Sequence, residues 1–164
     1  GATTLDLRAG RSATIRIRSE SVVFARIEAV FGQPFAADTD GPLVATIEGE
    51  SGGVGDVAAF ELSVTAQRAV DSPVVEIQLP AGVEADAQLL AALQANGAVI
   101  EATPRHPGFV RLRLIPLAED ATHTLPLAFR WRVGGDVRGL GIVTYPADRP
   151  DAMTVLSPRD LHLQ

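Results

Sequence analysis

Apolar and polar side chains alternate along most of this chain, a period that is typical of β-strands burying one face. The clearest example places five apolar side chains at every second position: Leu125, Leu127, Phe129, Trp131 and Val133. Shorter sets with the same period recur elsewhere, for example Phe60 with Leu62 and Val64. The pattern predicts about ten short strands, spaced as in an antiparallel β-sandwich. We therefore predict an all-β fold in which Trp131 is a core residue.

One segment breaks this alternation and predicts a single short helix at Ala85–Ala95. Leu89, Leu90 and Leu93 fall on one side of such a helix. Asn96-Gly97 follows, and both residues tolerate the left-handed conformation found just past helix ends. We expect this helix to lie across one edge or one end of the sheet.

A glycine-rich run divides the chain at about a third of its length. The run from Gly49 to Gly55 has no side chains able to pack a core, which is typical of a linker or a long exposed loop. We place a strand-rich segment at residues 1–50, a linker at 51–57 and the β-sandwich domain at 58–164. The first segment is small for an independent domain, so it either packs on the second or completes a preceding β domain.

Composition removes several classes of function. The net charge of −6 argues against a nucleic-acid partner, since phosphate binding needs a positive field. The absence of cysteine removes disulfides and thiol chemistry, and no apolar run approaches the ~20 residues of a membrane-spanning helix. Since the chain starts at Gly1 with no leader-like stretch, we interpret it as a piece of a longer exported protein whose signal has been removed, with a periplasmic or extracellular location.

Two sets of residues are candidates for catalysis or metal binding. Ser51 lies in a Gly-x-Ser-x-Gly pattern, but a nucleophile elbow requires a helix after the serine and here another strand follows. His106, His123 and His162 are too far apart in sequence to predict a metal site. We interpret His106 as a turn residue and His123 as closing its strand with a backbone hydrogen bond. We predict no enzyme activity, no cofactor and no metal.

Three pairs of arginines recur two residues apart, so each pair points to one side of its strand. They are Arg16 with Arg18, Arg111 with Arg113, and Arg130 with Arg132. One hypothesis is an interaction face rich in guanidinium groups that docks on acidic surface of another domain or partner. The alternative is a solvated sheet face on which each arginine pairs with nearby Glu and Asp, because surface ion pairs carry little energy.

The order of elements from Phe60 to Tyr145 resembles the C-terminal receptor-binding domain of the alpha-2-macroglobulin and complement thioester-protein family. The matching parts, in order, are a first strand at Phe60–Val64, a strand ending in the stop Leu79-Pro80-Ala81-Gly82-Val83, the helix, the strand Phe109–Leu114, the apolar strand Leu125–Val133 and a strand ending in Tyr145. The resemblance implies a macroglobulin or immunoglobulin-like sandwich of bacterial type. Residues 22–26 and 32–34 are similar to the end of the segment that precedes that domain in the family.

Several features of the family are missing from this chain. It has no lysine, the residue through which vertebrate members bind their receptor, and no Cys-Gly-Glu-Gln thioester motif. The resemblance therefore implies a non-catalytic module of a larger protease-trapping protein, which packs against other domains of that protein and against a trapped protease. The alternative is a carbohydrate-binding or adhesin-type sandwich. A sugar platform needs exposed aromatic faces, and the single Trp falls on the core side of its strand.

Overall fold

A computed structural model describes residues 41–106, 108–131 and 134–163, all of which belong to the unit Pro34–Gln164. These residues form ten strands and one helix. In chain order they are β1 (Leu43–Glu50), β2 (Val57–Ala66), β3 (Pro73–Gln78), α1 (Ala87–Gln94), β4 (Val99–His106), β5 (Phe109–Leu114), β6 (Thr122–Arg130), β7 (Gly135–Gly139), β8 (Gly141–Pro146), β9 (Thr154–Leu156) and β10 (Arg159–Leu163).

The strands form an antiparallel β-sandwich. One sheet has the order β1-β2-β6 and the other has the order β4-β5-β3-β8-β9, while β7 and β10 make a two-stranded ribbon. Every second side chain of β2 and β6 is buried, and these side chains share one hydrophobic core with those of β3, β5 and β8. The predicted all-β sandwich with one short helix is confirmed. Of the strand-rich segment predicted at residues 1–50, residues 1–40 lie outside the described part of the chain.

The helix begins later than predicted because Asp86 is its N-cap. Asp86 has an extended backbone (φ −76°, ψ 169°), and its side chain accepts a hydrogen bond from the Leu89 N–H at 2.9 Å. Leu89 and Leu93 are buried, as the spacing of the leucines predicts. Beyond the helix end, the Asn96 side chain accepts from the Ala98 N–H at 2.9 Å and donates to the Thr124 carbonyl at 3.1 Å. The Asp86 cap thus stabilises the start of the helix itself, and the Asn96 side chain attaches the end of the helix to β6.

The two open sides of the sandwich are closed in different ways. On one side α1 contacts both β4 and β6, the edge strands of the two sheets, which confirms the predicted position across a sheet edge. On the other side β1 contacts β8 and β9 directly. There the buried hydroxyl of Thr144 donates to the Leu43 carbonyl at 2.9 Å, and a side chain on Gly41 would come within 2.1 Å of the Thr154 hydroxyl. Only a residue without Cβ allows this approach.

The division of the chain at residues 51–57 is wrong. β1 pairs with β2 over its whole length, from Leu43 opposite Ala66 to Glu50 opposite Ala59. Residues 43–50 therefore belong to the sandwich, and the glycine-rich run is the loop of a β-hairpin rather than a linker between domains. The alternative of a long exposed loop is the correct interpretation of that run.

The connection between β7 and β8 carries an unusual backbone conformation at Leu140. This residue has φ 60°, a left-handed value that is uncommon outside glycine, and its side chain is fully buried. Its N–H donates to the Gln78 carbonyl at 2.8 Å. The preceding Gly139 lies so close to Pro80 that a Cβ would meet the Pro80 Cα at 2.4 Å. The chain thus turns sharply from the ribbon into the five-stranded sheet, against the Leu79-Pro80 end of β3.

Candidate interaction surfaces

Arg111 and Arg113 both lie on the outer face of the five-stranded sheet, the side predicted for them. Arg111 Nε lies 3.6 Å from Glu76 Oε1 on β3, and Arg113 Nη1 lies 3.4 Å from Glu101 Oε2 on β4. The Arg113–Glu101 pair is about half exposed on both sides, and pairs of that kind contribute about 0–1 kcal/mol. These two arginines are therefore paired with glutamates of their own sheet, as the ion-pair alternative predicts.

Arg111 also belongs to a hydrogen-bond network that joins three strands. The Tyr145 hydroxyl on β8 donates to Glu76 Oε1 at 2.8 Å and accepts from Arg111 Nη2 at 2.9 Å. The Arg111 guanidinium lies 5.9 Å from the centre of the Tyr145 ring, and Tyr145 is only 9% exposed. The network links β3 to its two neighbours, β5 and β8, on the face of the sheet away from the core.

The same surroundings determine the ionisation of Tyr145. Burial raises the pKa of its phenol above the usual value near 10, the Glu76 carboxylate raises it further, and Arg111 opposes both effects. The phenol is therefore neutral at neutral pH. A neutral phenol that already donates to a carboxylate has no proton-accepting role here, so the arrangement is suited to structural support.

Arg130 does not share a face with Arg111 and Arg113. It lies on β6 in the three-stranded sheet, on that sheet's outer side, and its Nη1 donates to the Gly55 carbonyl in the loop between β1 and β2. The hypothesis of a single interaction face that contains Arg111, Arg113 and Arg130 is therefore wrong. Arg16, Arg18 and Arg132 lie outside the described residues.

Trp131 connects the core to the glycine-rich loop. It is 1% exposed and packs edge-on against Phe129, with ring centres 5.1 Å apart and an angle of 88° between the rings. Its indole N–H donates to the Ser51 carbonyl, and its own carbonyl accepts from the Gly55 N–H at 3.1 Å. The predicted core position of Trp131 is confirmed. Ser51 lies in the hairpin loop, which strand β2 follows, as predicted from the pattern around it.

The three histidines lie in three different strands. His106 ends β4, His123 lies in β6 and His162 lies in β10. The His123 Nε2 atom is buried and has no hydrogen-bond partner, so the backbone hydrogen bond predicted for this residue is not made by that atom. In the described residues, no group of three or more His, Asp or Glu side chains is placed to hold a metal ion.

A cleft of 290 Å³ lies between the start of α1 and the end of β6. Its walls are formed by Val83, Glu84 and Leu89 on the helix side and by Ala128 and Arg130 on the strand side. Two further clefts lie at the Gln78–Gly82 end of β3, with 390 Å³, and among the loops around Asp71 and Asp148, with 460 Å³. No pattern in the sequence predicts the first cleft, because the helix and the strand that form it are about 40 residues apart in the chain.

Comparisons with known proteins give likenesses in structure but none in sequence. No family model matches the sequence, and no curated protein is similar to it in sequence. Among solved structures, the ASH/PapD-like domain of human CEP192 (PapD-like domain 7) is 12% identical, with a TM-score of 0.41, over 83% of this chain and 94% of that domain. Within the described residues, no helix has the length and apolar character needed to cross a membrane.

Proposed function

We propose that this protein is a non-catalytic module of a larger secreted or periplasmic protein of the alpha-2-macroglobulin type. In that protein it packs against neighbouring domains and supplies binding surface during protease trapping. The observation that carries the proposal is the order of elements: β3 ends at Leu79-Pro80, α1 follows, and β5, β6 and β8 come after it, with Tyr145 near the end of β8. This is the order on which the resemblance to the family's C-terminal domain rests.

The positions of the aromatic residues favour this proposal over the carbohydrate-binding alternative. In the described part of the chain, Phe60, Phe129, Trp131 and Tyr145 are all buried, and Phe109 is only partly exposed. A sugar platform needs aromatic faces open to solvent. The described surface instead carries charged side chains on sheet faces together with exposed aliphatic residues such as Val57 and Ile100, which suits contact with other protein surfaces.

The test begins with the coding sequence that flanks this chain. We expect it to encode a thioester motif or a bait-like segment upstream. The full-length product, incubated with a protease, should then suppress cleavage of casein while leaving cleavage of a small peptide substrate nearly unchanged, because a trapped protease is shielded only from large substrates.

A product that lacks residues 41–164 serves as the comparison. It should suppress casein cleavage less well, since the described strands form one sandwich that would be lost as a unit. The proposal is overturned if the flanking sequence encodes neither feature, or if the full-length product slows both substrates equally.

A further inference from the structure

Strand β6 is an edge strand whose outward backbone groups can be assigned from its hydrogen bonds. The Ala66 N–H donates to the Ala121 carbonyl at 3.0 Å, and the Trp131 N–H donates to the Asp56 carbonyl at 3.3 Å. The odd-numbered residues thus direct their main-chain groups toward β2. The even-numbered residues direct theirs to the opposite edge, since these groups alternate along a strand. The Thr124 carbonyl, which accepts from the Asn96 side chain at 3.1 Å, agrees with this assignment.

The helix covers only part of that edge. It runs antiparallel to β6, with Asn96 beside Thr124 and the first turn of α1 beside Ala128 and Arg130. From Asp86 to Asn96 a helical rise gives about 15 Å, whereas β6 extends about 20 Å from Thr124 to Arg130. The helix is therefore too short to cover the whole edge, and the cleft of 290 Å³ lies between its first turns and the end of the strand.

The backbone groups in this cleft have the pattern that an added strand requires. Pro126 has no N–H, so it removes a donor from the middle of the edge. Beyond it, the N–H and C=O groups of Ala128 and Arg130 face the cleft. Within the described part of the chain, no hydrogen bond joins these outward groups to another residue. Donors and acceptors that alternate in this way along a strand edge are best satisfied by another extended backbone.

We propose that this cleft binds an extended segment of a partner polypeptide as an added strand along β6, with a basic side chain of that segment beside Glu84. The proposal deepens the proposed function and rests on it, in that the module acts by binding protein. The volume is at the lower end of the ~300–1,000 Å³ typical of small-molecule pockets, which suits a few residues of main chain. Val57, which lines the cleft and is 54% exposed, gives it apolar surface for one side chain of the segment.

Charge selects a basic segment over an acidic one. Glu84 is exposed on the helix side of the cleft, and within the described residues it has no ion pair. Asp86 lies on the same wall and adds a second carboxylate. The Arg130 guanidinium also lines the cleft, with its Nη1 bound to the Gly55 carbonyl on the loop between β1 and β2, so two carboxylates and one guanidinium leave the lining a net charge of −1. A Lys or Arg side chain entering near Glu84 therefore meets two carboxylates.

The test uses Ala128→Pro, which removes the outward N–H. Pro126 occupies an equivalent outward position two residues earlier, so β6 tolerates proline there and the variant should fold. Ala128→Ser, which keeps the N–H, is the matched control. The probe is a capped hexapeptide of alternating Val and Thr with Arg at both ends, titrated into the whole chain and followed by the NMR shifts of backbone amides.

We expect shifts centred on Ala128 and Arg130, at least tenfold weaker binding by the proline variant, and unchanged binding by the serine variant. Glu84→Gln should weaken binding several-fold and reduce its dependence on salt. A peptide with N-methylated amides cannot add to a strand edge and should not bind, which keeps the test valid if the proline variant fails to fold.

Equal binding of the methylated peptide, unchanged binding by the proline variant, or shifts centred on another strand would each overturn the proposal. Because this titration uses only the present chain, it can fail while the full-length product still traps proteases, and it can succeed when trapping fails.

Discussion

Replacement of Trp131 tests the packing of the core and the attachment of the hairpin loop together. A tryptophan side chain buries about 150–250 Å², which at about 25 cal/mol per Å² corresponds to an upper estimate of ~4–6 kcal/mol. Measured Trp→Ala losses in cores are about 3–5 kcal/mol. Since Trp131 is 1% exposed and packs on Phe129, we expect Trp131→Ala to lower the free energy of unfolding by an amount in that range.

Trp131→Phe separates the two contributions. It keeps most of the ring but removes the indole N–H, so the Ser51 carbonyl loses its donor, at a cost of about 1–2 kcal/mol. The assay is urea unfolding followed by circular dichroism, with Val57→Ala as the control. Val57 is 54% exposed, and its loss should change stability by less than about 0.5 kcal/mol.

The intrinsic fluorescence gives an independent check. Trp131 is the only tryptophan in the chain, so the emission reports on this site alone. It should be blue-shifted in the folded protein and resistant to quenching by iodide. Red-shifted, readily quenched emission would refute the reasoning, because it would show that the ring is exposed. A phenylalanine variant as unstable as the alanine variant would also refute it, because the hydrogen bond would then outweigh the packing of the ring.

Three further predictions concern single contacts. Tyr145→Phe should lower the free energy of unfolding by about 1–2 kcal/mol near neutral pH. Since the pKa of Tyr145 is raised in the fold, its contribution to stability is full below pH ~10 and is lost as the pH rises through the raised value. Alkaline unfolding titrations of the variant should lack that loss. Gly139→Ala should lower the melting temperature, because its Cβ would lie 2.4 Å from Pro80 Cα, whereas Gly97→Ala, with no atom within 4 Å, should not; equal effects would contradict the close approach. Asp86→Ala should cost about 0.5–2 kcal/mol through loss of the helix cap, and unchanged urea unfolding would show that the cap is not formed.

The strands and the helix could be predicted because their signals are local. The period of two in β2 and β6 appears directly as buried and exposed side chains. In α1, Leu89 and Leu93 are buried where their spacing places them, and Leu90 is partly buried. The predicted helix starts two residues too early, although the sequence carries the signal for its start, since Asp86 is of a residue type preferred at the N-cap.

The errors came from relations between distant residues. A run of glycines has the same composition in a linker and in a hairpin loop, and only the pairing of β1 with β2 distinguishes them. Arginines two residues apart share one side of a strand, but the sheet to which that strand belongs depends on its partners. Glu76 and Tyr145 were not recognised as partners of Arg111 for the same reason, since the register that aligns β5, β3 and β8 is set by tertiary pairing.

The strand order has a consequence for how this chain reaches its fold. β2 pairs with β6, although β3, α1, β4 and β5 lie between them in sequence and three of these strands belong to the other sheet. Within these two strands, the paired positions nearest in sequence are Thr65 and Thr122. Closing so long a loop costs conformational entropy, which must be overcome before the pairing of β2 with β6 contributes to stability. Folds dominated by such non-local pairing reach the native state in milliseconds to seconds. We therefore expect the hairpin of β1 and β2 to form early, and the three-stranded sheet to be completed only as the five-stranded sheet assembles.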